Sequence, residues 1–523
     1  MFHYRKPLRP QRRKHPGSAT SLPFSLPAPT GGWNARDPLP SMPPSDATVL
    51  ENFVPRAYNV TLRKGFTYTV TNFGSEPPRT LMVWNGTSIK KLFAVTNDGV
   101  YDVTAADGSK GANLKAVTNG YFSWTNFTTP AGDFLIAVNG SDAMLQYDGT
   151  TWQSITDAST PAITGVPTSS LTSVQVAARR LWFTRAGSNS VYYLPAASIG
   201  GALVEFPLGQ VFSKGGTVVA IGTWSVDGGD GQNDLTVFAS SEGELAIYKG
   251  IDPSSDVTFG KVGVYSMAPP LSSQCFRKYG ADLLYLARNG LFPLSLSMAA
   301  VTEDTALTKK IQPAFLETIE LYGVQDGWSV HNFSVLGFLL VNAPLAAGYS
   351  EQFVMNTSTG AWCKFTAIHA TGWQEFNKEI YFIDAQGVAK FWQGSKDNGA
   401  PIRCKVAQAY TPLGLPSTKK LMKLVQPIVT VDTAVNLNVS LQVDYEVPKS
   451  TSLLTPTSQN VYLWDAANWD EALWGGEAET VREWATVEAY DGYYFSLIME
   501  LSTAATNFSW TLTNFRFETG GGL

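Results

Sequence analysis

Charge is scarce in this chain. Asp, Glu, Lys and Arg make up 15% of its 523 residues, well under the roughly 25% of an average soluble protein. Histidine is rarer still: His3 and His15 lie near the start, and His331 and His369 stand alone. No HExxH, GxSxG or phosphate-binding glycine loop occurs, so the common metal-hydrolase, serine-hydrolase and nucleotide-binding signatures are missing. The three cysteines, Cys275, Cys363 and Cys404, form an odd set with no CxxC spacing. They read as small buried apolar residues made in a reducing compartment, not as a disulfide framework or zinc site. No run reaches the roughly 18 apolar residues that a membrane helix needs. The best candidate, Ser334–Tyr349, is broken by Asn342 and Pro344, so membrane insertion is not expected. The apolar part of residues 1–30, SLPFSLPAP, contains three prolines, which makes a poor signal-peptide core.

Aromatic residues, by contrast, reach 12%, with 46 glycines and 30 prolines in a chain that is 44% hydrophobic. That is the composition of an all-β protein with many turns. The net charge of −5 is unevenly spread: Arg5, Lys6, Arg9, Arg12, Arg13, Lys14 and Arg36 all precede the first acid, Asp37. The rest is clearly acidic, which argues against tight DNA binding. The six cations of residues 5–14 suit phosphates or an acidic protein surface equally, and they lack the interleaved aromatics of a stacking platform.

Residues 1–44 hold Pro7, Pro10, Pro16, Pro23, Pro27, Pro29, Pro38, Pro40, Pro43 and Pro44. Proline fixes φ and removes amide donors, so neither ladder nor helix is expected there. An extended arm covers 1–57, either without fixed structure or ordered against a neighbouring subunit through Trp33. From Tyr58 the apolar period becomes two. Val60 and Leu62, then Phe66, Tyr68 and Val70, flank Lys64-Gly65 as a hairpin would.

One unit then recurs: an apolar strand, a glycine-bearing turn and a second strand with aromatics. It appears as LFAVTNDGVYDV (92–103), FLIAVNGSDAMLQYDGTTWQSI (134–155), RLWFTRAGSNSVYYL (180–194) and LTVFASSEGELAIYKG (235–250). It returns as DLLYLARNGLFPLS (282–295), FLLVNAPLAAGYSEQFVMNTSTGAWCKF (338–365) and EIYFIDAQGVAKFWQG (379–394). Units roughly 45 residues apart, each too small to bury its own face, predict a β-propeller of about six to eight blades over 58–400. A string of β-sandwiches is the competing arrangement. Two segments interrupt the rhythm: KKIQPAFLETIELY (309–322), a one-faced helix by Ile311, Phe315 and Ile319, and TWSVDGGDGQND (223–234), read as a long polar loop. Residues 401–523 read as a second antiparallel β domain. In it, Trp464, Trp469 and Trp474 are spaced by five, which fits neither a helix nor a strand face.

For chemistry, Asp227, Asp230, Asp234, Glu244, Asp252 and Asp256 cluster in sequence and could supply the facing carboxylates of a glycosidase. Asp227, Asp230, Asn233 and Asp234 are hard oxygen ligands of the kind calcium takes, but not at EF-hand spacing. Acids in polar turns more commonly cap amides, and neither a catalytic set nor a cofactor is expected.

The stretch Gly31–Gly65 carries a resemblance. Its order of Gly31-Gly32, Asn34, Arg36-Asp37, Met42-Pro43, Asp46-Ala47, Asn52, Pro55 and Arg63-Lys64-Gly65 resembles the start of the tail hub, or nozzle, proteins of short-tailed bacteriophages. The likeness continues through VYYLPAASIGGALVEFPLGQVFSKGG (191–216), SVDGGDGQNDLTVFASSEGELAIYKGIDPS (225–254), DLLYLARNGLFPLS and the Trp-spaced segment 464–476. It does not reach the arm through Lys14. The resemblance implies a virion protein made in the host cytoplasm, with about six subunits in a ring on the tail axis. It implies an adaptor ring on one side, fibres, a spike or a needle on the others, and double-stranded DNA passing without specific binding. The loops 225–234 and 462–476, the basic residues of the arm and Trp33 are then the expected contact or gate elements. The rival readings are a carbohydrate-binding or hydrolysing propeller and a receptor-binding tail protein.

Overall fold

The computed structural model describes residues 21–105, 108–227, 232–298, 302–346, 348–432, 435–446, 451–454, 479–481, 483–486, 491–504 and 507–519. Each of the seven recurring units forms the middle of an antiparallel blade of a propeller; blades 1 to 5 are separate sheets of three or four strands, and blades 6 and 7 join a larger sheet that runs into the C-terminal domain. Blade 1 is Thr80–Asn85, Lys90–Val95, Val100–Asp102 and Asn113–Lys115. Blade 2 is Ser123–Thr129, Gly132–Val138, Met144–Tyr147 and Trp152–Ile155. Blade 3 is Leu171–Ala177, Arg180–Arg185, Ser190–Tyr193 and Val204–Pro207. Blade 4 is Val218–Asp227, Gln232–Ser240, Glu244–Gly250 and Phe259–Ser266. Blade 5 has three strands, Phe276–Tyr279, Asp282–Ala287 and Gly290–Pro293. Blade 6 is Ser329–Phe333, Phe338–Ala346, Tyr349–Asn356 and Trp362–Phe365. Blade 7 is Gly372–Phe376, Glu379–Ile383 and Gly387–Phe391, completed by Phe66–Thr71 from the other end of the chain. That borrowed outer strand closes the ring, and blade 7 packs against blade 1.

The second and third strands of each blade are sandwiched between neighbouring blades and read as near-continuous apolar runs. Leu283–Ala287 and Leu135–Val138 are almost wholly buried. The first strands face the axis with one edge unpaired, a liability that polar side chains of the neighbouring blades cover. Asn126 of blade 2 donates to Val83 O (2.9 Å) and accepts from Asn85 N (3.1 Å) of blade 1. Ser123 Oγ accepts from Val174 N of blade 3 (3.1 Å).

Beyond Phe391 the chain builds a two-sheet sandwich. One sheet pairs Lys420–Val431 with Phe508–Thr519. The other orders Asp46–Glu51, Ala400–Gln408, Phe495–Thr503, Leu437–Val443 and Thr451–Leu454. Met422, Val425, Val439, Leu497, Trp510 and Phe515 fill the space between them. This core is continuous with Phe338, Phe365, Trp373 and Phe391 of blades 6 and 7. A shared core of that kind makes propeller and sandwich one body rather than two loosely linked domains.

Three expectations need correction. The proline-rich arm does enter a ladder: Leu22–Pro27 pairs antiparallel with Phe508–Thr519. Ala28 N donates to Thr511 O (3.0 Å), so by alternation the amides at 22, 24 and 26 face the partner. Pro23 and Pro27 occupy the outward positions of an edge strand, where no donor is needed. Second, Lys64-Gly65 is no hairpin turn. Val60–Leu62 pairs within the sandwich with Phe53–Pro55 and Phe508–Thr519, while Phe66–Thr71 crosses to blade 7. A Cβ on Gly65 would sit 1.9 Å from Lys396 O, so the close crossing requires glycine there. Third, most of the polar stretch 223–234 is strand, with Thr223↔Thr236 through Asp227↔Gln232 in register. A two-stranded ladder satisfies the backbone groups that a loop would leave to water. The 309–322 segment is a 3-10 turn at Lys309–Ile311 followed by a helix, Gln312–Tyr322, with Ile311, Phe315 and Ile319 buried.

Candidate functional site

The residues that carry the resemblance converge on two polar knots, and both tie the leader to the two domains. In the first, Asn34 is buried, and its Nδ2 donates to Asp37 Oδ2 (2.9 Å) and Asp46 Oδ2 (2.8 Å). Its Oδ1 accepts the amides of Arg36 and Asp37 (3.1 and 3.0 Å). The Asn34 amide first, and then Arg36, hold the Asp37 carboxyl below its ordinary range. Lys310, just ahead of the helix, donates to Asp46 Oδ1 (2.9 Å) and Gly31 O (3.0 Å). Gly32 has φ +85°, and a Cβ there would lie 2.7 Å from Trp362 O, so the leader presses backbone to backbone on blade 6. Trp33 donates from Nε1 to Thr48 O (3.0 Å) and stacks on Phe353, with ring centroids 5.9 Å apart and planes 4° apart. Its indole is occupied by its own chain.

The second knot is at the crossover between sandwich and propeller. Arg63 has no exposed side-chain surface. Its Nη1 and Nη2 donate bidentately to Asp397 (2.7 and 2.6 Å), and Nη2 also donates to Thr366 O (3.1 Å). Nε donates to Asn52 Oδ1 (2.8 Å), which also accepts from Thr366 N (2.9 Å). Asn52 Nδ2 reaches Thr366 Oγ1 (2.8 Å) and Arg403 O (2.7 Å). Asn52 adopts φ 58°, a conformation that Asn tolerates better than most side chains. These groups are saturated with partners and shielded from solvent. Their chemistry is that of a rigid joint.

Of the carboxylates considered for hydrolysis, Glu244 and Asp252 are placed apart. Glu244 opens the third strand of blade 4, and burial would push its carboxyl up. Hydrogen bonds from Ser213 Oγ (2.6 Å) and Lys214 N (2.7 Å) outweigh that and hold it low. Asp252 follows the far end of the same strand, ion-paired to Arg180 (3.0 Å) and accepting from Ser254. The seven residues of Glu244–Gly250 extend about 20 Å, too far for the roughly 5–9.5 Å of a glycosidase pair. Asp227, Asn233 and Asp234 sit on the paired strands at the tip of blade 4, where Val226 faces Asn233 and Ser225 faces Asp234. Their side chains, and Asp230 altogether, lie outside the described residues. So do Arg5, Lys6, Arg9, Arg12, Arg13 and Lys14, together with Trp464, Trp469 and Trp474.

His331 is buried on Ser329 Oγ (2.9 Å) and stacked on Phe333. Burial, with the Arg277 charge adding to it, keeps its pKa well below the ordinary value, so the ring is neutral. All three cysteines are buried. Among the described residues, no group of three or more His, Cys, Asp or Glu is placed to hold a metal, and no helix is long and apolar enough to cross a membrane. The knots were missed at the sequence level because Arg63, Asn52, Thr366 and Asp397 are joined only by the tertiary fold.

No protein-family model matches this chain, and no curated protein does. Among solved structures it is similar to YCF48 bound to D1 peptide, at 9% identity over 67% of this chain and 99% of that one, with a TM-score of 0.37. It is similar to Raptor of Chaetomium thermophilum at 11% identity, over 64% of this chain and 28% of that one, with a TM-score of 0.36. It is also similar to a glycoside hydrolase family 43 arabinoxylan arabinofuranohydrolase from Bacillus subtilis, in complex with cellotetraose. There the identity is 9% over 87% of this chain and 96% of that one, with a TM-score of 0.24. Likeness this distant carries no functional argument.

Proposed function

We propose that this protein is a structural component of a short phage tail, a hub or nozzle whose copies form a ring that extends and gates the DNA channel. The observation that carries the reading is the leader. The residues behind the resemblance, Asn34, Asp46, Asn52, Arg63 and Gly65 among them, lock sandwich and propeller into one stiff unit. A subunit that transmits force around a pore needs that stiffness, and an isolated binding module does not. Blade 4 supports the same reading. Its first two strands run to ten and nine residues, longer than those of blade 3 at seven and six, so its tip projects as a contact or gate element. On the same blade Ile251, Val257 and Val262 are exposed, Val257 at 94%. Ile251 N donates to Thr258 O (3.3 Å), which brings Ile251 beside the turn that holds Val257, and exposed apolar groups that lie together commonly mark contact surfaces.

Six copies in a ring, an adaptor protein on one face and fibres, a spike or a needle on the others complete the proposal. The acidic chain would let duplex DNA slide past without adhering. Electron-microscopic imaging of the purified protein at rising concentration tests it. Sixfold rings with an axial opening are expected. A monomer at every concentration that also hydrolyses a glycan would overturn the reading in favour of the carbohydrate-active alternative. Trimers would favour a receptor-binding tail protein.

A further inference from the structure

The inner wall of the propeller holds a cavity of about 380 Å³ between blades 4 and 5. Ile221, Gly222, Phe276 and Leu283 contribute its apolar lining. Gly222 has no side chain to spare: a Cβ there would meet Leu283 and Phe276 at about 3 Å. The polar lining comes from four consecutive blades: Gln175 from blade 3, Thr223 from blade 4, Arg277 and Lys278 from blade 5 and Asn332 from blade 6. Asn332 Nδ2 is engaged with Lys278 O (3.3 Å). Among the described residues, the side chains of Gln175, Thr223, Arg277 and Lys278 have no hydrogen-bond or ion-pair partner.

We propose that this cavity is a binding site for a small oxyanion-bearing ligand, a carboxylate or a phosphate, held by Arg277 and Lys278 and oriented by Gln175, Thr223 and Asn332. A guanidinium fork in a half-buried wall is matched to two oxygens of one anionic group. Arg277 is half-buried and Lys278 exposed, so their donors stay open to solvent and can take an incoming anion. Cavities of this size, with an apolar floor and a few convergent polar groups, are typical of small-molecule sites. The counter-charge that Arg277 feels is Glu375, on the first strand of blade 7. The pair forms no direct ion-pair contact among the described residues, so Glu375 competes with an incoming anion without neutralising the site. Two cations against one carboxylate leave the cavity net positive in a chain that is acidic overall.

Isothermal titration of the full chain with inorganic phosphate and, separately, with succinate tests the site at low ionic strength, where screening is weakest. Saturable one-site binding is expected, weakened at least tenfold by Arg277→Gln and tightened several-fold by Glu375→Gln. The tightening variant guards the result, because a misfolded protein does not gain affinity. The tighter of the two probes names the ligand class, and either order supports the site. Absence of saturable binding to both probes overturns it, and so does equal affinity in wild type and Arg277→Gln.

Discussion

Replacing Arg63 by methionine tests whether the crossover knot sets the stability of the whole body. The substitution keeps the apolar stem and removes the guanidinium. It strands Asp397, whose side chain is only 11% exposed, and it takes a donor from Thr366 O and another from Asn52 Oδ1. Removing one member of a buried, hydrogen-bonded pair typically costs about 3–5 kcal/mol. At about 2–4 °C per kcal/mol for a large domain, the midpoint of thermal unfolding should fall by about 6–20 °C. The loss should be local in origin. The Thr366 amide, held by Asn52 Oδ1 at 2.9 Å, should lose hydrogen-exchange protection. Amides of the second strand of blade 4 should lose less, because they lie in a separate core. Pairing Arg63→Met with Asp397→Leu should restore about half the loss: the stranded carboxylate goes, while Thr366 O stays short of a donor. A variant within about 0.5 kcal/mol of wild type, the scale of an ordinary surface change, would refute the claim that this knot joins the domains.

Glu244→Gln should cost about 1.5–3 kcal/mol at neutral pH, the range for hydrogen bonds to a charged group, measured by urea unfolding. Because the folded carboxyl titrates below its ordinary 4.5, its contribution is complete above that pH and is lost as pH falls through the lowered value. The gap between wild type and variant should therefore close in acid. The three buried thiols are pushed up by burial, Cys404 to about 12. A thiol reagent at pH 8 should label none of them in the native protein and all three after denaturation; prompt native labelling would refute their burial. In the arm, Leu26→Ala should cost about 2–5 kcal/mol. Pro23→Ala and Pro27→Ala should each cost no more than about 1 kcal/mol, because their ring positions donate nothing to the ladder. A large loss from either proline would mean the strand faces the other way.

What the sequence disclosed and what it concealed follow one physical division. The second and third strands of all seven blades were legible, because a strand packed on both faces must be apolar throughout, and the turn between them commonly carries a glycine, as at Gly243 and Gly290 (φ +81° and +141°). The helix after Lys309 was legible for a similar reason, since Ile311, Phe315 and Ile319 need a buried face. First strands such as Ser123–Thr129 were not, because a strand with one edge on the axis mixes Ser, Thr and Asn with its apolar residues and loses the period. Least legible was the leader. Its prolines argue locally against any ladder, and only the partner strand Phe508–Thr519, nearly 500 residues away, shows that they fall on the outward edge. Lys64-Gly65 looked like a hairpin turn because the carboxylate that holds the neighbouring Arg63, Asp397, lies 334 residues downstream. Contacts of that range also make folding late and slow. The strand Phe66–Thr71 completes blade 7 by pairing with Gly387–Phe391, from far along the chain. The ring and the sandwich therefore close together, through the same short crossover, and the residues spent there are the ones that a search for catalytic chemistry passes over.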